Sequence, residues 1–156
     1  MLLDQLQSDL RQAQLGRDEI RVSTLRLLLS EIKNGEIAKG GPAGSGSPAG
    51  GLSDEDIVLV VQKEAKKRKE AAAAFRFGGR EEAALKEEAE LKILEGYLPS
   101  RLSNEELTKL VEDTINELGA SSLADMGKVM GAVMGKVKGR ADGGTVSSLV
   151  KEKLTT

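Results

Sequence analysis

The chain has 156 residues, a net charge of −2, 39% hydrophobic residues and only 2% aromatics, with neither cysteine nor histidine. This excludes disulfides, thiol and imidazole catalysis and nearly every zinc or iron centre, and nucleic-acid binding would need a local basic patch. An aliphatic core among abundant Glu and Lys favours helices over strands.

Leu2, Leu3, Leu6, Leu10 and Ala13 recur at steps of three and four, predicting an amphipathic helix that stops near Gly16. The charged start MLLDQLQSDLRQ does not have the pattern of a signal peptide. No apolar run approaches the roughly 20 residues that span a bilayer, so the expectation is a soluble cytoplasmic protein with no membrane partner. A second helix follows in RDEIRVSTLRLLLSEIKNGEI, with Val22, Leu25, Leu28, Leu29 and Ile32 as its apolar stripe. Residues 39–51, KGGPAGSGSPAGG, hold six glycines, two prolines and two serines and read as a flexible connector. They lack the Gly-Lys-Ser/Thr ending of a phosphate-binding loop.

Ser53 and Asp56 form a capping-box pattern that opens a long helix from Asp54 toward Phe77, closed by Gly78 and Gly79. A fourth helix, from about Arg80, carries Leu85, Ala89, Ile93 and Tyr97 at steps of four, and Pro99 ends it. Two long helices joined by Gly-Gly predict an antiparallel hairpin. Beyond Pro99 the caps come faster. Ser103 and Glu106 open a helix that stops at Gly119, Ser122 and Asp125 repeat the pattern, and Asp142 caps a last short helix. The expectation is an all-α protein: an N-terminal helical domain, 1–98, with the long hairpin, and a three-helix domain, 99–156.

The stretch DMGKVMGAVMGKVKGR places Gly127, Gly131, Gly135 and Gly139 four apart. Each interior glycine costs a helix roughly 0.8–1 kcal/mol relative to alanine. At about 100° per residue, with Met126 at zero, the apolar residues from Met126 to Val137 centre near 15°. Gly127, Gly131 and Gly135 fall at about 100°, 140° and 180°, beside Lys128 and Lys138. Such a bare strip admits close approach by another helix or by a phosphate backbone drawn by Lys128, Lys136, Lys138 and Arg140; a frayed helix with no visitor is the third reading. Lys136, Lys138 and Arg140 also complement the negative end of the helix dipole and its free carbonyls.

A second basic run, QKEAKKRKEA, contains Lys63, Lys66, Lys67 and Arg68. It reads as a solvated face or as an RNA-facing patch. The acidic run REEAALKEEAE is a solvated face or the partner of the basic run across the hairpin. Glu87 and Glu88 are adjacent on their helix and make a poor acid–base couple. No catalytic constellation, metal site or cofactor site is expected.

STLRLLLSEIKNGEI, QKEAKKRKEAAAAF, GGREEAALKEEAELKILEGYLP and DMGKVMGAVMGKVKGRADG together resemble the YqeY family, small bacterial proteins whose C-terminal part is similar to the tail of the GatB subunit of tRNA-dependent amidotransferase. The resemblance covers nearly the whole chain except residues 39–51. It implies a helical N-terminal domain, a three-helix tail domain, and tRNA as a ligand, with amidotransferase subunits as partners. It points to Gly127, Lys128, Gly131, Gly135, Lys136, Lys138 and Arg140 as the RNA-contacting positions. The family label implies a carbon–nitrogen ligase with glutamine as amide donor, but the glutaminase and ATP sites of that complex have no counterpart here. The expected function is therefore a tRNA-handling accessory module, with an amidotransferase-associated subunit or a protein-interaction module without RNA as alternatives.

Overall fold

The computed structural model describes residues 1–39 and 51–155. The reading of the Gly/Ser/Pro stretch therefore falls largely outside the described residues. Seven α-helices and one short 3₁₀ turn account for the regular structure, and there is no strand among the described residues. The fold is all-α.

The chain divides into two compact units, Met1–Leu98 and Pro99–Thr156. The first holds α1 (Leu2–Leu15), α2 (Glu19–Ala38), α3 (Asp54–Phe77) and α4 (Glu81–Glu95). Its core is Leu6, Leu25, Leu28, Ile32, Ile57, Val61, Ala65 and Leu94. Truncating one of these leucines to alanine costs about 2–5 kcal/mol, because the lost apolar burial leaves a cavity.

Local chemistry sets the helix ends. At α3 the Ser53 hydroxyl accepts the Asp56 N–H while the Asp56 carboxylate accepts the Ser53 N–H, so two otherwise orphaned donors are satisfied. At its other end Arg80 N–H donates to the Phe75 carbonyl at 2.8 Å and Gly79 N–H to Arg76 at 3.2 Å. Gly79 takes the left-handed φ of 74° that this closure needs and a side chain would resist.

Two details differ from expectation. α4 ends at Glu95, not at Pro99, because Gly96 breaks it and Tyr97 N–H folds back onto the Leu94 carbonyl. Leu85, first of its step-of-four row, is 53% exposed, while Ala84, Glu90 and Leu94 are buried. Ala72 on α3 and Ala84 on α4 are buried near the tip of the hairpin, and Leu85 is left outside.

The second unit holds α5 (Asn104–Leu118), α6 (Met126–Val137) and α7 (Gly143–Thr155), with the 3₁₀ turn Leu123–Asp125 leading into α6. Leu107 and Val111, Val129, Val133 and Val137, and Val146, Val150 and Leu154 supply one row from each helix to a shared core. Ser122 does not cap with its side chain; the Asp125 carboxylate instead accepts the Ser121 N–H at 3.0 Å. The extra 3₁₀ turn moves the start of α6 to Met126 and makes Asp125 its cap.

Candidate nucleic-acid interface

α6 divides its circumference sharply. Val129, Val133 and Val137 are fully buried. Met126, Met130 and Met134 are half-buried at the edge of that core. Gly127, Gly131 and Gly135 are exposed, and a Cβ built on any of them would meet nothing within 4 Å. The valine row, not the whole apolar set, is the centre of burial. The glycine row therefore sits roughly 160° from the core direction, farther out than a flank.

Gly139 does not belong to this strip. It is buried, with φ of 77°, and follows Lys138 at φ of 47°. These two left-handed residues end α6, and Arg140 N–H closes onto the Val137 carbonyl at 2.9 Å. Gly139 is needed for the turn, since a Cβ there would meet the left-handed steric penalty.

The cations around the strip are unequal. Lys128 is exposed and makes no hydrogen bond or ion pair among the described residues. Lys138 is exposed beyond the helix end. Lys136 Nζ lies 2.6 Å from Glu117 Oε2 and 3.2 Å from Thr114 Oγ1 on α5. Arg140 Nε donates to the Ser100 carbonyl at 2.9 Å, and the Arg140 carbonyl accepts Leu102 N–H. Lys153 pairs likewise with Glu112 at 2.6 Å, and hydrogen bonding to that carboxylate raises its pKa above the ordinary lysine value. The acidic α5 thus matches much of the positive charge that α6 and α7 contribute to this unit.

The second basic run also splits. Lys67 Nζ lies 2.7 Å from Glu64 Oε1. Arg68 donates from Nη1 to Glu64 Oε2 at 3.1 Å and from Nε to Glu90 Oε2 at 3.0 Å. Glu64 and Glu90 are buried, so Arg68 makes an interior pairing across the α3–α4 hairpin, as in the reading that partners the acidic run with the basic one, while Lys67 stays exposed. Glu87 and Glu88 turn to different cations, Arg68 and Arg76. Lys63 and Lys66 remain exposed, and Lys66 and Glu70 form no ion pair despite their i,i+4 spacing. Sequence reasoning overlooked Lys69 and Phe77, both exposed on the same helix. The signal for Phe77 was available: an aromatic residue directly before a Gly-Gly helix stop has little left to pack against.

No described helix is long and apolar enough to cross a membrane. Among the described residues, no group of three or more carboxylates is placed to hold a metal ion.

The family model described as Yqey-like protein matches residues 3–154. The chain belongs to the YqeY family. Among curated relatives it is 33% identical over 117 residues to "Altered inheritance of mitochondria protein 41, mitochondrial" of Vanderwaltozyma polyspora, covering 72% of this chain and 58% of that protein. The protein of the same name in Kluyveromyces lactis is 35% identical over 119 residues, covering 74% and 60%. That of Lachancea thermotolerans is 29% identical over 157 residues, covering 97% and 80%. This YqeY chain thus spans about three fifths of the first two relatives' length. These relatives are yeast proteins, so the family is not confined to bacteria. Their names also overturn the cytoplasmic expectation, which rested on the absence of a recognisable targeting pattern: all three are mitochondrial proteins by name.

Proposed function

We propose that this YqeY protein is a tRNA-handling accessory module whose C-terminal unit docks a sugar–phosphate backbone along the glycine row of α6. The observation that carries the reading is the exposure of Gly127, Gly131 and Gly135 with no neighbour where their side chains would be. A bare helix face lets a phosphate backbone come within reach of Lys128 and Lys138. Phosphate can also compete with Glu117 for Lys136. The resemblance to the GatB tail that the sequence of Asp125 to Asp142 implies supports RNA as the ligand. The names of the curated relatives support a mitochondrial setting.

The test is titration of the full chain with labelled tRNA across a range of salt. Affinity should fall linearly on logarithmic axes as counterions are released. Lack of tRNA binding at physiological salt overturns the proposal.

The methionine row favours a second reading. Met126, Met130 and Met134 lie beside the three glycines, an adaptable apolar edge along a bare backbone. That combination suits a partner helix, as in an amidotransferase-associated subunit or a protein-interaction module. Pull-down with amidotransferase subunits, together with tRNA affinity indifferent to changes on the strip, would support it.

A further inference from the structure

α3 presents a second surface, in the N-terminal unit. Lys63, Lys66, Lys69, Ala73 and Phe77 are all exposed. At about 100° per residue they fall within an arc of about 120°, opposite the buried Ile57, Val61, Glu64, Ala65 and Ala72. None of the three lysines has an ion pair or hydrogen bond among the described residues, in contrast to Lys67 and Arg68 in the same turn. The row ends at Phe77, which is 98% exposed.

That exposure belongs to an ordered tip. Arg76 is held by Glu81 and Glu88 of α4. Arg80 covers the ring of the neighbouring Phe75 at 5.8 Å from its centroid. The Gly78–Gly79 closure fixes the end of the helix. One ring is thus covered by a cation and the other is held out in water. Glu70 is the acid on this face, exposed and without an ion pair among the described residues.

We propose that the α3 face from Lys63 to Phe77 is an RNA-contact surface for a single-stranded segment, its backbone following Lys63, Lys66 and Lys69 and one base stacking on Phe77. The choice of RNA over a protein partner follows from the lysines. Lysine is depleted in protein–protein interfaces, whereas a cationic track ending in an open aromatic ring is the combination that binds single strands. The inference rests on the reading of the protein as an RNA-handling one, and it concerns residues of the other unit.

The chain has no tryptophan, so Phe77→Trp in the full chain places a single reporter at the tip. On titration with an unstructured single-stranded RNA oligonucleotide its fluorescence should be quenched saturably, and a blunt RNA duplex should quench it far less. Phe77→Ala should weaken single-strand binding by about 5- to 100-fold. Lys66→Ala should lower the salt slope by about 0.7. Glu70→Gln should tighten binding. A tryptophan silent to RNA, or wild-type affinity in Phe77→Ala, overturns the inference and leaves the face to a protein ligand. A silent Phe77→Trp with tRNA binding that still depends on the α6 strip defeats this inference alone. A quenched one with strip-independent tRNA binding defeats the α6 reading alone.

Discussion

Lys136 Nζ lies 2.6 Å from Glu117 Oε2, while Lys128, two turns earlier on α6, faces water without an acidic partner. The two lysines therefore offer different things to an incoming phosphate. Lys128→Ala should lower the salt slope of tRNA binding by about one. Lys136→Ala should change it less, because its charge is already matched. Glu117→Gln should free Lys136 and tighten tRNA binding by roughly two- to fivefold, the scale of an exposed ion pair. Anisotropy titrations at several salt concentrations check all three.

Arg68 joins Glu64 and Glu90 between α3 and α4, with Glu87 Oε2 3.8 Å from its Nε. Its removal leaves the buried Glu90 without its cation, while Glu64 keeps Lys67. Arg68→Ala should cost about 3–5 kcal/mol, read from urea unfolding. Lys66→Ala, on the exposed face of the same helix, should move stability by less than about 0.5 kcal/mol.

Tyr97 donates its hydroxyl to Asp9. Burial first, and the hydrogen bond to Asp9 second, push its pKa up from 10.0 to about 12. The protonated phenol is therefore favoured in the folded state. Its contribution is fully present below pH 10 and is lost as pH rises through about 12. Tyr97 is the single tyrosine and there is no tryptophan, so tyrosinate absorbance reports this group alone. The folded protein should titrate near 12, and the chain unfolded in urea near 10.

Asp56 shows the opposite sign. Hydrogen bonds from Lys39 and then from Ser53 lower its pKa from 3.8 to about 2. Its contribution is present above the unfolded value and is lost as pH falls from about 4 through about 2. Asp56→Asn should lower the thermal midpoint by a constant amount above pH 5, and the gap should narrow in acid.

Helix starts and stops were legible because capping residues act locally: Ser53, Ser103, Gly79 and Gly119 each perform the role their residue types suggest. The pairing of Arg68 was legible only as the alternative in which the acidic run partners the basic run across the hairpin. Its run of cations has the same pattern as a solvated face, and only the approach of α4 decides which member turns inward. Leu85 was misread because its step-of-four row runs beside the buried side of α4, which is marked by Ala84, Glu90 and Leu94. On α6 the four-residue spacing exposed the glycine row, but not that Gly139 leaves it. That depends on the left-handed turn at Lys138 and Gly139, which sequence spacing does not encode.

The bare strip on α6 is proposed to receive RNA backbone. The most direct measurement is the tRNA affinity of Gly131→Leu, with the thermal midpoint measured on the same protein. A Cβ there meets nothing within 4 Å, and leucine is the better helix former by several tenths of a kcal/mol. The expected result is an unchanged or raised midpoint together with tRNA binding weakened by at least about tenfold, roughly 1.4 kcal/mol. Wild-type affinity in that folded variant would contradict it.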